Sequence, residues 1–330
     1  MAGLVLYALA ALGSAVLLYA AYTIWDFVAL HFVLPARPLH SYRRSGPEPT
    51  YALITGASAG IGFGVALELV RNGFGVILLG HLPDELAAAK GTLEEASPGA
   101  AVRTVVMDAR TATPTAMEEL VRSLDTESLQ VSILINNVGG NPIELPPLRN
   151  LSTYSCADVD IVIAQNARFM ARLTALMLPL LSRTPSRPGE RSLILNTSSA
   201  GHVGTPYLAM YGATKGFNLS FSRGVARELS INRATQHVDC LAIIPGDVLS
   251  QGNSRGVTPN APRWDSYGRC LVRTVDGAVR RGMRDLSPYW KHDLEQRIMP
   301  WLDEATLTTE VTKVIRRKKD AWDEYFDKTR

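Results

Sequence analysis

Apolar and polar positions divide the chain into three regimes. Residues 2–25 are 24 consecutive positions without a charge. As a helix this run is about 36 Å long, enough to cross a hydrocarbon core of about 30 Å. Tyr19, Tyr22 and Trp25 gather towards its end, where an interfacial aromatic belt sits. Next comes a polar stretch, 37–50, where Pro35, Pro38, Pro47 and Pro49 resist helix and predict a linker. Beyond it, short continuous apolar runs alternate with amphipathic stretches. The runs predict strands at 51–55, 75–79, 102–107, 131–135, 192–196 and 238–244, and the periodicity predicts helices at 61–72 and 83–96, with helical stretches between most of the other strands. Strands without polar alternation are buried on both faces, so the expected fold is α/β: a doubly wound parallel sheet in a single domain, preceded by a transmembrane helix. The expected bounds are an anchor at 1–34, a linker at 35–50, a core at 51–250 and a helical extension of the same domain at 251–330. A polar surface loop is expected at 184–191.

Composition narrows the classes. Of 330 residues, 46% are hydrophobic and 20% charged, which is ordinary globular usage and excludes disordered, collagenous and coiled-coil chains. A net charge of +3 is too slight to mark a nucleic-acid binder. Cys156, Cys240 and Cys270 are far apart and form no CxxC, which argues against a disulfide framework and against a metal site. A cleaved signal peptide is the alternative reading of the N-terminus. The run lacks a basic leader and is long for that role, although Ala20-Ala21 offers a cleavage site. Arg37, Arg43 and Arg44 follow the anchor, which predicts a cytosolic body.

Candidate chemistry lies at the strand ends. The first strand runs into Gly56-Ala57-Ser58-Ala59-Gly60-Ile61-Gly62 and then a helix. Glycines there permit a tight turn and let backbone approach a pyrophosphate at a helix N-terminus. Ser58 and Ile61 belong to the same candidate cofactor turn. Asp108 closes the third strand, where a carboxylate accepts from an adenine amino group. Asn136, Asn137 and Gly139 close the fourth, bordering the ligand crevice. The second strand ends in Gly80-His81 without the acid that would bond a ribose 2′-hydroxyl, so NADPH is expected, with His81 as a partial phosphate contact. Tyr211 and Lys215 stand four apart on one helix face, a spacing at which an ammonium favours phenolate and lowers the phenol's pKa. Ser198 ends a buried strand and offers a donor to a carbonyl oxygen. Asn166 offers a site for a water that relays protons to Lys215.

With these residues the chain resembles the short-chain dehydrogenase/reductase family, from about residue 50 to 250. The matched features are the glycine turn, Asp108, the segment Asn136-Asn137-Val138-Gly139, Asn166, Ser198, Tyr211, Lys215 and Pro245-Gly246. The resemblance implies a Rossmann-type domain and hydride transfer between a nicotinamide and a carbonyl or alcohol carbon. It implies Tyr211 as acid/base, Ser198 as the residue orienting the carbonyl, Lys215 on the nicotinamide ribose and Asn166 as anchor of the relay. Ser198 is preferred to Ser199 because the family's serine sits thirteen residues before the tyrosine and three before a glycine, here Gly201. Pro245, Gly246, Val248 and Ser250 are expected along the cofactor, with Ser250 where the family usually has Thr. Val138 departs from the usual Ala.

The Val138 variant, the apolar anchor and a tail containing Ser287-Pro288-Tyr289-Trp290 resemble the family's membrane-bound branch of 3-ketoacyl-CoA reductases and 17β-hydroxysteroid dehydrogenases. That resemblance implies a 3-ketoacyl-CoA substrate in fatty-acid elongation, at the endoplasmic reticulum membrane. From residue 255 to 297, nine Lys and Arg against five acids suggest contacts to coenzyme A phosphates, with Arg280 and Arg281 singled out. The loop 247–251 is not that branch's usual one. A steroid, polyketide or terpenoid ketone is therefore the alternative substrate, and a silent NADP-binding membrane scaffold the remote one. The expected partners are a ketone or acyl-CoA and a bilayer around residues 2–25, with no nucleic acid and no metal; a homo-oligomer is left open.

Overall fold

A computed structural model describes residues 2–33, 39–141 and 146–329 of the chain. Seven strands form one sheet: β1 (Thr50–Thr55), β2 (Gly75–Gly80), β3 (Val102–Val106), β4 (Gln130–Asn136), β5 (Ser192–Thr197), β6 (Val238–Ile243) and β7 (Asp285–Leu286). Their order is β3-β2-β1-β4-β5-β6-β7, and every pairing is parallel. The helices are α1 (Ala2–Val28), α2 (Gly60–Arg71), α3 (Pro83–Ala96), α4 (Pro114–Thr126), α5 (Cys156–Ile163), α6 (Phe169–Leu181), α7 (Ala209–Ile231), α8 (Trp264–Arg280), α9 (Trp290–Ile298) and α10 (Glu304–Thr329).

The predicted strands and helices form within a residue or two of their expected ends. The added strand, β7, is two residues long and leaves no periodic signal. Alternation along the strands feeds two cores. Ile54, Leu78, Ile135, Leu195 and Ile243 face a core shared with α2, α3 and α8. Leu53, Ile77, Leu134, Ile194 and Cys240 face one shared with α4, α6 and α7. The strand order reverses between β1 and β4, and the crevice beyond the carboxyl ends of these two strands is where such sheets bind ligands.

The expected linker is only partly a linker. Residues 34–38, with Pro35, Arg37 and Pro38, lie outside the described residues. From Leu39 onward the segment straps the amino end of the sheet. Leu39 and Tyr42 are buried, and the Tyr42 hydroxyl donates to Asp239 Oδ2 at 2.8 Å. Arg44 donates to the Arg191 carbonyl and to Ser192 Oγ. Arg43 lies over the Phe74 ring. These two arginines, read from sequence as topological charges, also hold the body together.

Ala2–Val33 is long and apolar enough to span a membrane, and its side chains up to Tyr22 face outward, uncovered by protein. Cys156–Leu181 passes the same length test, but half of it is buried as a core helix. A π turn, Ala29–Val33, ends α1 and tucks Ala29, Leu30 and His31 against the body. The apolar helix is thus pinned to the body: Arg281 Nε donates to Asp26 Oδ1 at 2.7 Å, and His31 Nε2 lies 3.0 Å from Asp293 Oδ2.

Candidate active site

At the cofactor end, β1 stops at Thr55 and Gly56 turns the chain at φ +62°. A Cβ on Gly62 would lie 2.2 Å from the Gly56 carbonyl oxygen, so the turn and the first turn of α2 approach closely only without a side chain. Thr55 Oγ1 accepts from the amides of Asn137 and Val138 at 2.9 and 3.1 Å, and Asn137 Nδ2 donates to the Gly56 carbonyl at 3.1 Å. Asn136 ties strands instead, donating to Thr174 Oγ1 and Asn196 Oδ1 inside the core. Among the described residues no side chain caps the α2 N-terminus, which leaves its first amides for an anion. The absent Cβ atoms at Gly56, Gly62 and Gly139 let Asn137, the Gly56 carbonyl and Lys215 pack close at the carboxyl ends of β1 and β4, the tight turn that backbone approach to a pyrophosphate needs.

Other expected cofactor residues divide by role. Ser58 Oγ donates to Glu85 Oε2 at 3.0 Å, and Gln251 Nε2 donates to the other oxygen of the same carboxylate. Ile61 packs against the core. Ser250 stands over Gly60, its Cβ 3.4 Å from where a Gly60 Cβ would be. Val248 is buried, and its carbonyl accepts from Asn253 Nδ2 at 2.9 Å. Asp108 does not stand alone: Arg110 folds back on it with Nη2 at 2.8 Å. That guanidinium, and more weakly the neighbouring His81, holds the Asp108 carboxyl below the usual carboxylate range. Arg110 is a cation that sequence reasoning missed, two residues beyond the motif it searched.

At the catalytic end, Tyr211 and Lys215 lie one turn apart near the start of α7. Lys215 is buried, donates to the Thr197 carbonyl at 3.3 Å and lies 5.4 Å from the Tyr211 ring centroid. Burial pulls Lys215 down to about 8 and pushes the Tyr211 phenol above its ordinary value. The expected lowering of the phenol by Lys215 is absent. What offsets burial at Tyr211 is a hydrogen bond with the Ser199 side chain.

The serine assignment from spacing therefore changes. Ser198 is buried and its hydroxyl donates to the Lys215 carbonyl at 2.7 Å, inside the protein. Ser199 follows in extended conformation, accepts from the Gly201 amide at 3.1 Å and meets Tyr211. Successive side chains of extended backbone point to opposite sides, so only one of the pair faces the crevice.

Asn166 sits in a π turn, Ala164–Arg168, that interrupts the run from α5 into α6; such bulges gather at functional sites. Its Oδ1 accepts from the Gly140 amide and its Nδ2 donates to the Gly140 carbonyl, both at 2.9 Å. A Cβ on Gly139 would lie 2.6 Å from Lys215 Nζ and 2.9 Å from Asn166 Oδ1, so the two flank the same glycine. The Asn166 carbonyl accepts from Asn218 Nδ2, which also donates to the Thr197 carbonyl. Asn218, three residues beyond Lys215 on α7, belongs to no sequence motif, and only these long-range bonds reveal it.

Pro245 accepts from the Ala200 amide at 2.9 Å, and the Gly246 amide donates to His292 Nδ1 at 3.2 Å. The His292 ring fills the space of a Gly246 side chain, and burial holds its pKa down to about 4, so it stays a neutral acceptor. Asp247 accepts from Lys318 Nζ, Asn253 Nδ2 and Thr258. Burial alone would raise that carboxyl; Lys318 and the hydrogen bonds outweigh it and bring it to about 2. The basic run expected to meet phosphates is partly committed: Arg280 pairs with Asp276, Arg281 with Asp26, and Arg297 with Asp26 and Asp293.

Residues 50–258 match the family model of the short chain dehydrogenases, and the chain belongs to that family: it is an oxidoreductase on a Rossmann-type fold. Among its relatives is the very-long-chain 3-oxoacyl-CoA reductase of Coccidioides immitis, 34% identical over 268 residues, covering 80% of this chain and 72% of that protein. The enzyme of the same name from Aspergillus oryzae is 28% identical over 87% of this chain and 80% of its own. Of solved structures, a short-chain dehydrogenase from Sphingobium yanoikuyae in complex with NADPH superposes with a TM-score of 0.59 at 26% identity, covering 78% of this chain and 97% of that one. The bulky-bulky ketone specific alcohol dehydrogenase from Comamonas testosteroni shares the fold with a TM-score of 0.57 at 23% identity, covering 79% of this chain and 97% of its own.

Proposed function

We propose that this protein is an NADPH-dependent reductase of long-chain 3-ketoacyl-CoA, held at the endoplasmic reticulum membrane by α1 with its catalytic body in the cytosol. The observation that carries the reading is the gathering of Ser199, Tyr211, Lys215 and Asn166 at one crevice, in a chain whose relatives bear the name very-long-chain 3-oxoacyl-CoA reductase. When bound, the dinucleotide supplies the hydride. Gly56, Gly60, Gly62, Asn137 and Gly139 would hold its pyrophosphate and ribose side, with the backbone of 245–250 closing over it.

The chain's own groups handle the oxygen. The Ser199 hydroxyl orients the ketone oxygen beside Tyr211. Tyr211 protonates that oxygen as it gains charge, and the raised phenol pKa keeps the proton in place until then. Lys215, at about 8, titrates near working pH and resupplies the proton. Asn166 fixes Gly140 and, with Lys215, borders Gly139. An outward apolar anchor keeps the crevice near the bilayer, where a long acyl chain partitions.

The test is NADPH oxidation with 3-ketoacyl-CoAs from short to very long chain, set against steroid and small ketones. Turnover rising with chain length is expected. Activity on ketones but on no acyl-CoA would end the substrate assignment and leave the reductase standing.

A further inference from the structure

Helix α9 turns one face inward and one outward. Inward, His292 caps Gly246 and Asp293 pairs with His31 and Arg297. Outward, Trp290, Leu294 and Ile298 recur at every fourth position and are exposed, and Trp301 in the following turn is 86% exposed. This apolar stripe does not end at α9. The Phe32 ring lies 6.0 Å from Trp290, and Phe32 and Val33 are themselves exposed. The stripe is therefore continuous with the uncovered surface of α1.

Depth follows from the same contacts. The Arg297 guanidinium lies 5.6 Å from the Phe27 ring centroid and 3.4 Å from Asp26 Oδ2. So α9 runs beside residues 26–32, just past the 24 uncharged residues of the anchor. That run is about 36 Å long against a hydrocarbon core of about 30 Å, which sets residues 26–33 at headgroup level. Tryptophan is the residue that favours this level, and a helix lying there buries its apolar face about 5–10 Å into the boundary.

We infer that the α9 face, Trp290, Leu294, Ile298 and Trp301 together with Phe32 and Val33, is a second membrane contact whose occupant is the lipid bilayer. The inference rests on the reading of α1 as a retained membrane span. It gives the body a fixed orientation, because α9 has lipid on one side and the Pro245-Gly246 loop on the other. The mouth of the crevice is thereby held at the bilayer surface and does not swing on a tether.

Site-directed spin labelling of the full chain tests this, in vesicles of phosphatidylcholine containing phosphatidylserine and in a background with Cys156 and Cys270 replaced by Ser. Labels are placed at Leu294→Cys and Ile298→Cys, with Val16→Cys on α1 and the exposed Lys313→Cys on α10 as references. Collision with oxygen, which concentrates in lipid, is compared with collision with a water-soluble nickel chelate. Labels at 294 and 298 should favour oxygen, as at 16, and the label at 313 the chelate. Labels at 294 and 298 that follow 313 while 16 stays in lipid would overturn the α9 contact and leave the anchor intact. Labels shielded from both reagents would mean a protein covers the face, and lipid would be wrong. A water-exposed label at 16 would overturn the anchor itself, and with it this inference.

Discussion

Ser198 and Ser199 are adjacent and their hydroxyls face opposite ways, one into the protein and one to Tyr211. Replacing each by Ala separates the two roles. Ser199→Ala should lower kcat with little change in melting temperature. Ser198→Ala should instead destabilise by about 1 kcal/mol, because it leaves the buried Lys215 carbonyl without that donor. Tyr211→Phe keeps the ring but not the proton, so kcat should fall about 10²–10⁴-fold while NADPH binding, read by fluorescence titration, persists. Lys215 makes a pH prediction. Folding holds it at about 8, against 10.5 for an ordinary lysine, so between these values the unfolded chain binds the extra proton and stability rises with pH. The Cys240 thiol, pushed up to about 12 from 9.0, acts in the opposite sense above 9.0. Without added dinucleotide, the melting temperature of Lys215→Met should lack the rise that the unaltered protein shows between about 8 and 9.

Among elements, the contact of α10 with the loop 247–258 has the most to say about function. Lys318 Nζ meets Asp247 Oδ1 and Asn253 Oδ1, both at 2.7 Å, and Arg317 donates to the Gly256 carbonyl and Thr258 Oγ1. Asp247 directly follows Pro245-Gly246, so the C-terminal helix fixes the chain that leaves this turn. Lys318→Ala leaves the half-buried Asp247 carboxylate to Asn253, Thr258 and Arg317 and should destabilise by about 1–2 kcal/mol. It should also raise the KM for NADPH, whereas Lys318→Arg restores most of both. The sign of the acid dependence is set: a carboxyl held at about 2 adds stability above the usual carboxylate range and loses it as pH falls through about 2.

At the scale of the molecule, the join between α1 and the body decides how the two can be separated. Deleting residues 2–25 removes the apolar run but keeps Asp26 with Arg281 and His31 with Asp293. Such a protein should lose its resistance to carbonate extraction and retain reductase activity. A deletion of 1–34 also strips Leu30 from the core and should melt at a lower temperature. In sealed microsomes, added protease should digest the body of the full chain without detergent, as a cytosolic orientation requires.

The parallel sheet, the glycine turn, the Tyr211–Lys215 pair and the apolar N-terminal helix are legible in the chain without its tertiary contacts. Each is written in local order: periodicity, a turn that needs missing side chains, or two residues one helical turn apart. Tertiary structure alone decided which serine meets Tyr211, because that depends on how the extended chain enters the crevice after β5. It also decided that Arg281 and Arg297 pair with Asp26 of α1 and that His292 and Lys318 reach Gly246 and Asp247. Those partners are 46 and 71 residues away from Gly246 and Asp247. Charge counts cannot foresee such pairings, since a cation's partner is set by which elements the fold brings side by side.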